Sequence, residues 1–267
     1  MKKYGILANP AKHSLSPVMH NAAFKYLDID AEYGVFEIGE DDLNSFMESV
    51  KLDRIDGLSV SLPYKVEMMK FLNEIDDAAK EIGAVNTVVN RGGFLYGYNT
   101  DYIGAIKALQ GFELKGKKVV VAGAGGAVRA IVYGLKKEGA EVSVFNRTLE
   151  KAEEIGRDFG VKFGDLEEMK NHSGDILIQA TSIWTIDPGK EVSKIFPDEF
   201  IKQFEVVMDI IYKPLITPLL ERAKALGVQA VSGDMMLLYQ AAEQFKIWTG
   251  KEAPIEVMKE VLNKNLV

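Results

Sequence analysis

Along the chain, short continuous apolar runs alternate with longer stretches of helical periodicity, the pattern of a chain that repeatedly threads a sheet and returns over its face. The clearest case is residues 119–148. Val119-Val120-Val121-Ala122 is predicted as a buried strand, Gly123-Ala124-Gly125-Gly126-Ala127 as a turn, an apolar-periodic run to Leu135 as a helix, and 142–145 as a second strand ending in Asn146-Arg147-Thr148. Together they make a βαβ unit. Upstream, the pattern predicts strands at 4–8, 32–38 and 57–62, and helices at 17–27, 41–50 and 63–72. A β-hairpin over 84–98 is predicted to turn at Asn90-Arg91-Gly92-Gly93. Downstream it predicts strands at 175–180, 205–211 and 228–231, and a helix at 217–226 closed by Gly227. A helix at 235–249 is apolar at Leu237, Leu238, Ala241, Ala242, Phe245 and Trp248, and a short surface helix follows at 254–262. The segment 185–197 reads as the mobile loop, and no internal repeat or low-complexity stretch interrupts the series.

Composition narrows the class. With 267 residues, 47% of them hydrophobic, the chain can bury one large core or two ordinary ones. No run approaches a membrane span, and Met1-Lys2-Lys3 leads straight into a strand rather than a signal peptide. The absence of cysteine excludes disulfides and thiolate metal sites and suits a reducing cytosol. Three histidines, His13, His20 and His172, argue against metal catalysis. A net charge of −7 without a basic block argues against nucleic acid and anionic membranes as partners.

An acidic protein that binds anions must concentrate positive charge locally, and the βαβ unit does so. Gly123 permits a tight turn, and Gly125 lets the backbone approach a phosphate at the helix N-terminus. The third glycine of the dinucleotide fingerprint is Val128 here, which sets the helix slightly further from its strand. Where an NAD site ends its second strand in Asp or Glu, this chain has Asn146-Arg147-Thr148. No carboxylate stands there to repel a 2′-phosphate, Arg147 can fork onto one, and Lys151 adds charge one helical turn on, so these residues favour NADP. In the first half, Ser16 is placed to cap a helix with Pro17 at its first position, a role sufficient to account for it. Ser14 is left without a capping role, and two hydroxyls beside a helix N-terminus also make a cradle for a carboxylate. Lys65 is predicted in the first turn of a helix, where the macrodipole disfavours a cation; either function holds it there or its long stem carries the ammonium to water. Asn86-Thr87 and Gly97-Tyr98-Asn99-Thr100-Asp101 stand at strand ends, where Asn and Asp commonly make turns, and Asp101 is a candidate helix cap.

These segments occur in one order: Ser14-Leu15-Ser16-Pro17, Pro63-Tyr64-Lys65, Gly83-Ala84-Val85-Asn86-Thr87, Gly97 to Asp101, the glycine turn, Asn146-Arg147-Thr148, Asp209-Ile210-Ile211-Tyr212 and Gln240-Ala241. Across essentially the whole chain they resemble the shikimate dehydrogenase family. The resemblance implies an α/β protein of two domains, a substrate domain with a mixed, mainly parallel sheet (1–101 plus 236–267) and a Rossmann-type NADP domain (102–235), the C-terminal helices returning to the first. It implies reversible reduction of 3-dehydroshikimate to shikimate by NADPH on the way to aromatic amino acids, in a cytoplasmic monomer or homodimer. Carried over by position, Ser14 and Ser16 hold the substrate carboxylate, Ser61, Lys65, Asn86, Asp101, Tyr212 and Gln240 surround the ring, and Lys65 with Asp101 forms the catalytic pair. The cofactor set is Gly123, Ala124, Gly125, Gly126, Ala127, Asn146, Arg147, Thr148, Lys151, Thr181, Ser182, Ile210, Gly233 and Met236. Met235 and Met236 read first as packing, Met236 also as a residue to press on the nicotinamide ring.

Two departures stand out. The family reads Asn-Val-Thr where this chain has Ser59-Val60-Ser61, which keeps the hydroxyl of Ser61 but loses an amide at Ser59. After the strand at 175–180, Trp184 falls where the family has glycine. Rival readings are a dual quinate/shikimate dehydrogenase, decided by space around Ser14 and Ser16, and a non-catalytic NADPH sensor, against which Lys65 with Asp101 argues.

Overall fold

Among the described residues two six-stranded sheets form, each inside its own unit. The structure, a computed structural model, describes residues 1–52, 55–181 and 193–266. One unit comprises Met1–Gly104 with Leu238–Asn265, the other Ala105–Leu237. No helix among the described residues is long and apolar enough to cross a membrane.

In the first unit the strands are β1 (Lys2–Ala8), β2 (Ala31–Glu37), β3 (Gly57–Val60), β4 (Glu74–Ile75), β5 (Thr87–Arg91) and β6 (Phe94–Tyr98), in the order β2-β1-β3-β5-β6-β4. β1 pairs in parallel with β2 and β3, whereas β5 runs antiparallel to both β3 and β6. Parallel pairing of β1 and β2 requires a crossover, supplied by the helix Ser16–Tyr26. The hairpin closes on Gly92 and Gly93, at φ 65° and 91°, conformations that favour glycine. The helix Leu43–Leu52 buries Leu43, Met47 and Val50 against Leu7, Leu58 and Val88. Elsewhere Tyr4, His20, Phe24, Tyr33, Phe245 and Trp248 form a stacked aromatic cluster that joins Ser16–Tyr26 to the helix Gly233–Thr249.

The second unit holds β7 (Lys118–Ala122), β8 (Glu141–Asn146), β9 (Lys162–Asp165), β10 (Ile176–Gln179), β11 (Val206–Asp209) and β12 (Gln229–Ser232). All pair in parallel, in the order β9-β8-β7-β10-β11-β12. This is the doubly wound order, whose direction reverses between β7 and β10, where such sheets bind ligands outside their strand ends. The strands read as continuous apolar runs because both faces are covered. Val120, Leu177 and Val207 pack with Phe200, Leu219 and Leu220, while the helices Gly126–Lys137 and Leu149–Phe159 bury Val128, Ile131, Ile155 and Phe159.

Several local expectations are corrected. The helix expected at 63–72 is a turn followed by a short 3-10 helix, Glu67–Phe71. The Lys65 carbonyl accepts from Val85 N at 2.8 Å instead of continuing a helical ladder, so no helix dipole acts on Lys65 through its own first turn. Ser16 does not cap its helix: the N-cap position is Leu15, without a side-chain bond, and the Ser14 hydroxyl accepts from Ser16 N at 3.2 Å. The serine read as having no local role therefore has one. Nor does Asp101 cap its helix, Asp101–Ala108; the Asn99 carboxamide accepts from Asp101 N at 3.0 Å and leaves the aspartate side chain for another partner. The pattern also missed β4, β9 and the helix Asp77–Ile82, although the last carries ordinary end signals, Asp76 accepting from Ala78 N and Gly83 at φ 71°.

Candidate active site

Ends of β3, β5 and β6 in the first unit carry a cluster of polar side chains that the hydrophobic pattern alone does not explain. The turn after β3 holds Lys65, and Asp101 begins the helix after β6. Lys65 Nζ lies 2.6 Å from Asp101 Oδ2, with the two side chains only 14% and 7% exposed. The stem of Lys65 thus carries its ammonium inward to a buried carboxylate, not out to water. Removing one partner of such a pair leaves the other charge uncompensated in a largely buried place, so loss of either residue is expected to be costly.

Asn86 fixes the second oxygen. Its Nδ2 donates to Asp101 Oδ1 at 2.8 Å and to Thr100 Oγ1 at 3.0 Å, and reaches Gln240 Oε1 at 3.4 Å. Its Oδ1 accepts from Thr100 N at 2.8 Å and from Thr87 Oγ1 at 2.7 Å. These bonds settle which end of the carboxamide faces Asp101. Lys65, Asn86, Asp101 and Gln240 are therefore brought together. Ser61 stands at the mouth of the Lys65 turn, its N–H on the Leu7 carbonyl and its own carbonyl accepting from Tyr64 N. Ser14 and Ser16 lie at the start of the helix Ser16–Tyr26, after a loop that Glu37 pins by accepting from Ala11 N and Lys12 N at 2.8 and 3.2 Å. The Ala11 N–H and the nearby Lys12 hold the Glu37 carboxyl below the usual carboxylate range.

The second unit carries the other expected residues. Gly123 follows β7 at φ +125°, and a Cβ there would meet the Ala180 carbonyl oxygen at 2.6 Å, so the turn accepts only glycine. Gly125 is the N-cap of Gly126–Lys137, which has neither a side-chain cap nor an acidic residue in its first turn, and a Cβ on Gly125 would meet nothing within 4 Å. A helix start without a side-chain cap, with nothing among the described residues crowding Gly125, at the sheet's reversal point, fits the pyrophosphate of a dinucleotide. Ala124, Gly126 and Ala127 line the same turn. At the end of β8, Asn146 Nδ2 donates to the Thr148 carbonyl at 2.9 Å and shapes the corner from which exposed Arg147 projects; Lys151 is exposed in the first turn of Leu149–Phe159. The Gln179 carboxamide accepts from Thr181 N and Oγ1, both at 2.9 Å, and braces the chain after β10. Gly233 is needed for packing, since a Cβ would lie 2.1 Å from the Ile210 carbonyl oxygen. Met236 is buried in the helix Gly233–Thr249, and Tyr212, after β11, has its phenol pushed up by burial. Ser182 and Trp184 lie outside the described residues, as does most of the segment read as a mobile loop.

The chain is 46% identical over 264 residues to the shikimate dehydrogenase (NADP+) of Pyrococcus abyssi, with 98% of this chain and 97% of that one covered. The chain belongs to the shikimate dehydrogenase family. Three family models divide it: the shikimate dehydrogenase substrate binding domain over residues 6–88, shikimate / quinate 5-dehydrogenase over 105–212, and the shikimate 5'-dehydrogenase C-terminal domain over 236–262. Among solved structures, the shikimate dehydrogenase of Aquifex aeolicus matches with a TM-score of 0.90 at 42% identity, covering 98% and 97% of the two chains. A shikimate dehydrogenase in complex with NADP+ matches at TM-score 0.91 and 41% identity, covering 100% of this chain and 96% of that one. The Thermus thermophilus enzyme in complex with NADP(H) and shikimate matches at TM-score 0.89 and 33% identity over both whole chains.

Within this member of the family, sequence reasoning missed Gln244 and Tyr33 and gave Thr87 and Thr100 no role beyond their motifs; all four are buried beside the Lys65–Asp101 pair or its supports. The signal for Gln244 was available. It is a polar residue four positions from Gln240 and from Trp248, so the two glutamines share one side of a largely apolar helix.

Proposed function

We propose that this protein is an NADP-dependent shikimate dehydrogenase, interconverting 3-dehydroshikimate and shikimate on the route to aromatic amino acids. The observation that carries the reading is the buried Lys65–Asp101 pair at 2.6 Å, inside a family whose relatives are NADP+ enzymes. Bound NADPH supplies the hydride. As negative charge develops on the ring oxygen, Lys65 stabilises it and donates the proton. Asp101 orients the ammonium, and Asn86 holds Asp101. Asn86 and Gln240, with Ser61, offer hydrogen bonds to ring hydroxyls, and Ser14 and Ser16 hold the carboxylate. In the oxidative direction Lys65 must be neutral at the moment it accepts the proton. A sensor that only binds NADPH has no use for a buried lysine–aspartate pair, which favours the enzyme.

The test is an initial-rate comparison of shikimate and quinate, each with NADP+ and NAD+, followed at ~340 nm, the reduced-nicotinamide band. Turnover of shikimate with NADP+ well above the other three combinations is expected. A folded protein that binds NADPH but turns over neither substrate ends the proposal. Arg147→Ala is expected to raise KM for NADP+ by about tenfold, as loss of a charged fork on a phosphate does, while KM for NAD+ stays within about twofold. Equal losses with both would place the 2′-phosphate elsewhere.

A further inference from the structure

Behind the Lys65–Asp101 pair, one line of buried hydrogen bonds runs through a residue that the reaction itself does not call on. Tyr33 Oη lies 2.6 Å from Ser59 Oγ, and Ser59 Oγ lies 2.8 Å from Gln244 Oε1. Gln244 Nε2 donates to the Asn86 carbonyl at 3.0 Å and to Thr87 Oγ1 at 3.1 Å, and Thr87 in turn donates to Asn86 Oδ1. Asn86 Nδ2 then donates to Asp101 Oδ1. Every side chain in this line is buried.

The direction of each bond follows from one atom. The Asn86 backbone carbonyl can only accept, so the end of Gln244 facing it must be the NH2 group. Its oxygen therefore faces Ser59, which must donate, and Ser59 must accept from the Tyr33 phenol. On the other side, Thr87 accepts from Gln244 and so points its own proton at Asn86. All donors then run toward Asp101, and bonds aligned in this way polarise one another in a low-dielectric interior. Gln244 also supplies an amide next to Ser59, where the family pattern has asparagine. Gln240, one helical turn away, reaches the carboxamide of the same Asn86.

We propose that Gln244 is a positioning residue: it fixes the backbone and carboxamide of Asn86 from behind, and through Asn86 the orientation of Asp101 and Lys65. The proposal rests on the dehydrogenase reading and adds a residue to it. Because Gln244 acts on the geometry of the acid–base pair and not on cofactor binding, its loss should appear in kcat. The titratable neighbours are His20, whose buried ring stays neutral, Tyr33, and Asp101 through Asn86.

The experiment compares full-length wild type, Gln244→Met and Gln244→Glu in shikimate oxidation with NADP+ across the pH range, with thermal melts on the same samples. Methionine keeps the volume and removes all three bonds. Its kcat is expected to fall between about tenfold and a hundredfold, the scale of a small misplacement near the chemistry, with KM for NADP+ unchanged. A protonated glutamic acid keeps its C=O toward Ser59 and its one O–H toward the Asn86 carbonyl, losing only the bond to Thr87, whereas the ionised form sets a negative oxygen against that carbonyl. Gln244→Glu is therefore expected to approach wild-type kcat at low pH and to fall progressively behind as pH rises. A Gln244→Met enzyme within about twofold of wild type in kcat overturns the proposal, and so does a Gln244→Glu to wild-type ratio that is flat with pH. If Gln244→Met does not fold, the pH dependence of that ratio alone decides. Failure of wild type to oxidise shikimate would instead refute the dehydrogenase reading.

Discussion

Lys65→Ala is expected to lower kcat for shikimate oxidation by at least about a hundredfold, the loss typical of a positioned acid–base group. KM for shikimate should change by less than about fivefold, because the ring and carboxylate contacts are assigned to other residues. The size of the effect follows from where the ammonium sits. Its side chain is 14% exposed and its nitrogen is 2.6 Å from Asp101, so water is poorly placed to substitute for it as proton donor. Alanine also leaves the Asp101 carboxylate buried with the Asn86 N–H but without its cation, which destabilises the charged site as well as removing the catalyst. Lys65→Met separates these effects in part by preserving the packing of the stem. Steady-state rates of both variants, with thermal melts to confirm folding, check the prediction; either variant turning over within about threefold of wild type would remove Lys65 from the mechanism.

The second unit was legible from the sequence because its signals are local. A parallel sheet buried on both faces writes each strand as an apolar run, and the glycine turn is dictated by backbone geometry that only Gly123 satisfies. The first unit was less so. Asp101 and Ser14 show why: each carries a residue type that suits a helix start, and which of several neighbours performs the capping is decided by a tertiary competition. Asn99 captures the Asp101 N–H only because its own amide is anchored on the Ala84 carbonyl at 2.8 Å. Likewise, Pro63 to Leu72 has helical composition, but the Lys65 carbonyl is claimed by Val85, twenty residues later in the chain. Short β4 and polar β9 lack an alternating pattern long enough to read. The partners of Lys65 were inferable only from the family resemblance, since nothing in the spacing of Lys65, Asn86 and Asp101 brings them within hydrogen-bonding distance. That convergence is a product of the pairing of β3, β5 and β6.

Acid is expected to destabilise the wild-type protein more than a His20→Phe variant, by about 2 kcal/mol between pH 6.5 and pH 4.5. His20 is fully buried, stacked on Tyr33 with ring centroids 4.5 Å apart and flanked by Trp248 at 5.1 Å. Neither ring nitrogen has a hydrogen-bond partner among the described residues. Burial lowers its pKa from 6.5 to about 3, and the Gln244 carboxamide, nearby but outside hydrogen-bonding geometry, opposes the shift only in part. In the unfolded chain the same ring takes up its proton near 6.5. The folded state thus gains from a neutral His20 fully above pH 6.5, loses that advantage as pH falls below it, and has lost all of it by about pH 3. Phenylalanine keeps the stack and has no proton to take up. It also removes a buried N–H that finds no acceptor, so the variant should be at least as stable as wild type at neutral pH. Urea unfolding of both proteins at pH 7 and pH 4.5 measures the difference directly, because carboxylates such as Glu37 and Asp175, whose pKa values are lowered by their hydrogen bonds, contribute equally to both curves. Parallel losses of stability in the two proteins would show that the unfolding reaction does not include uptake of a proton by His20.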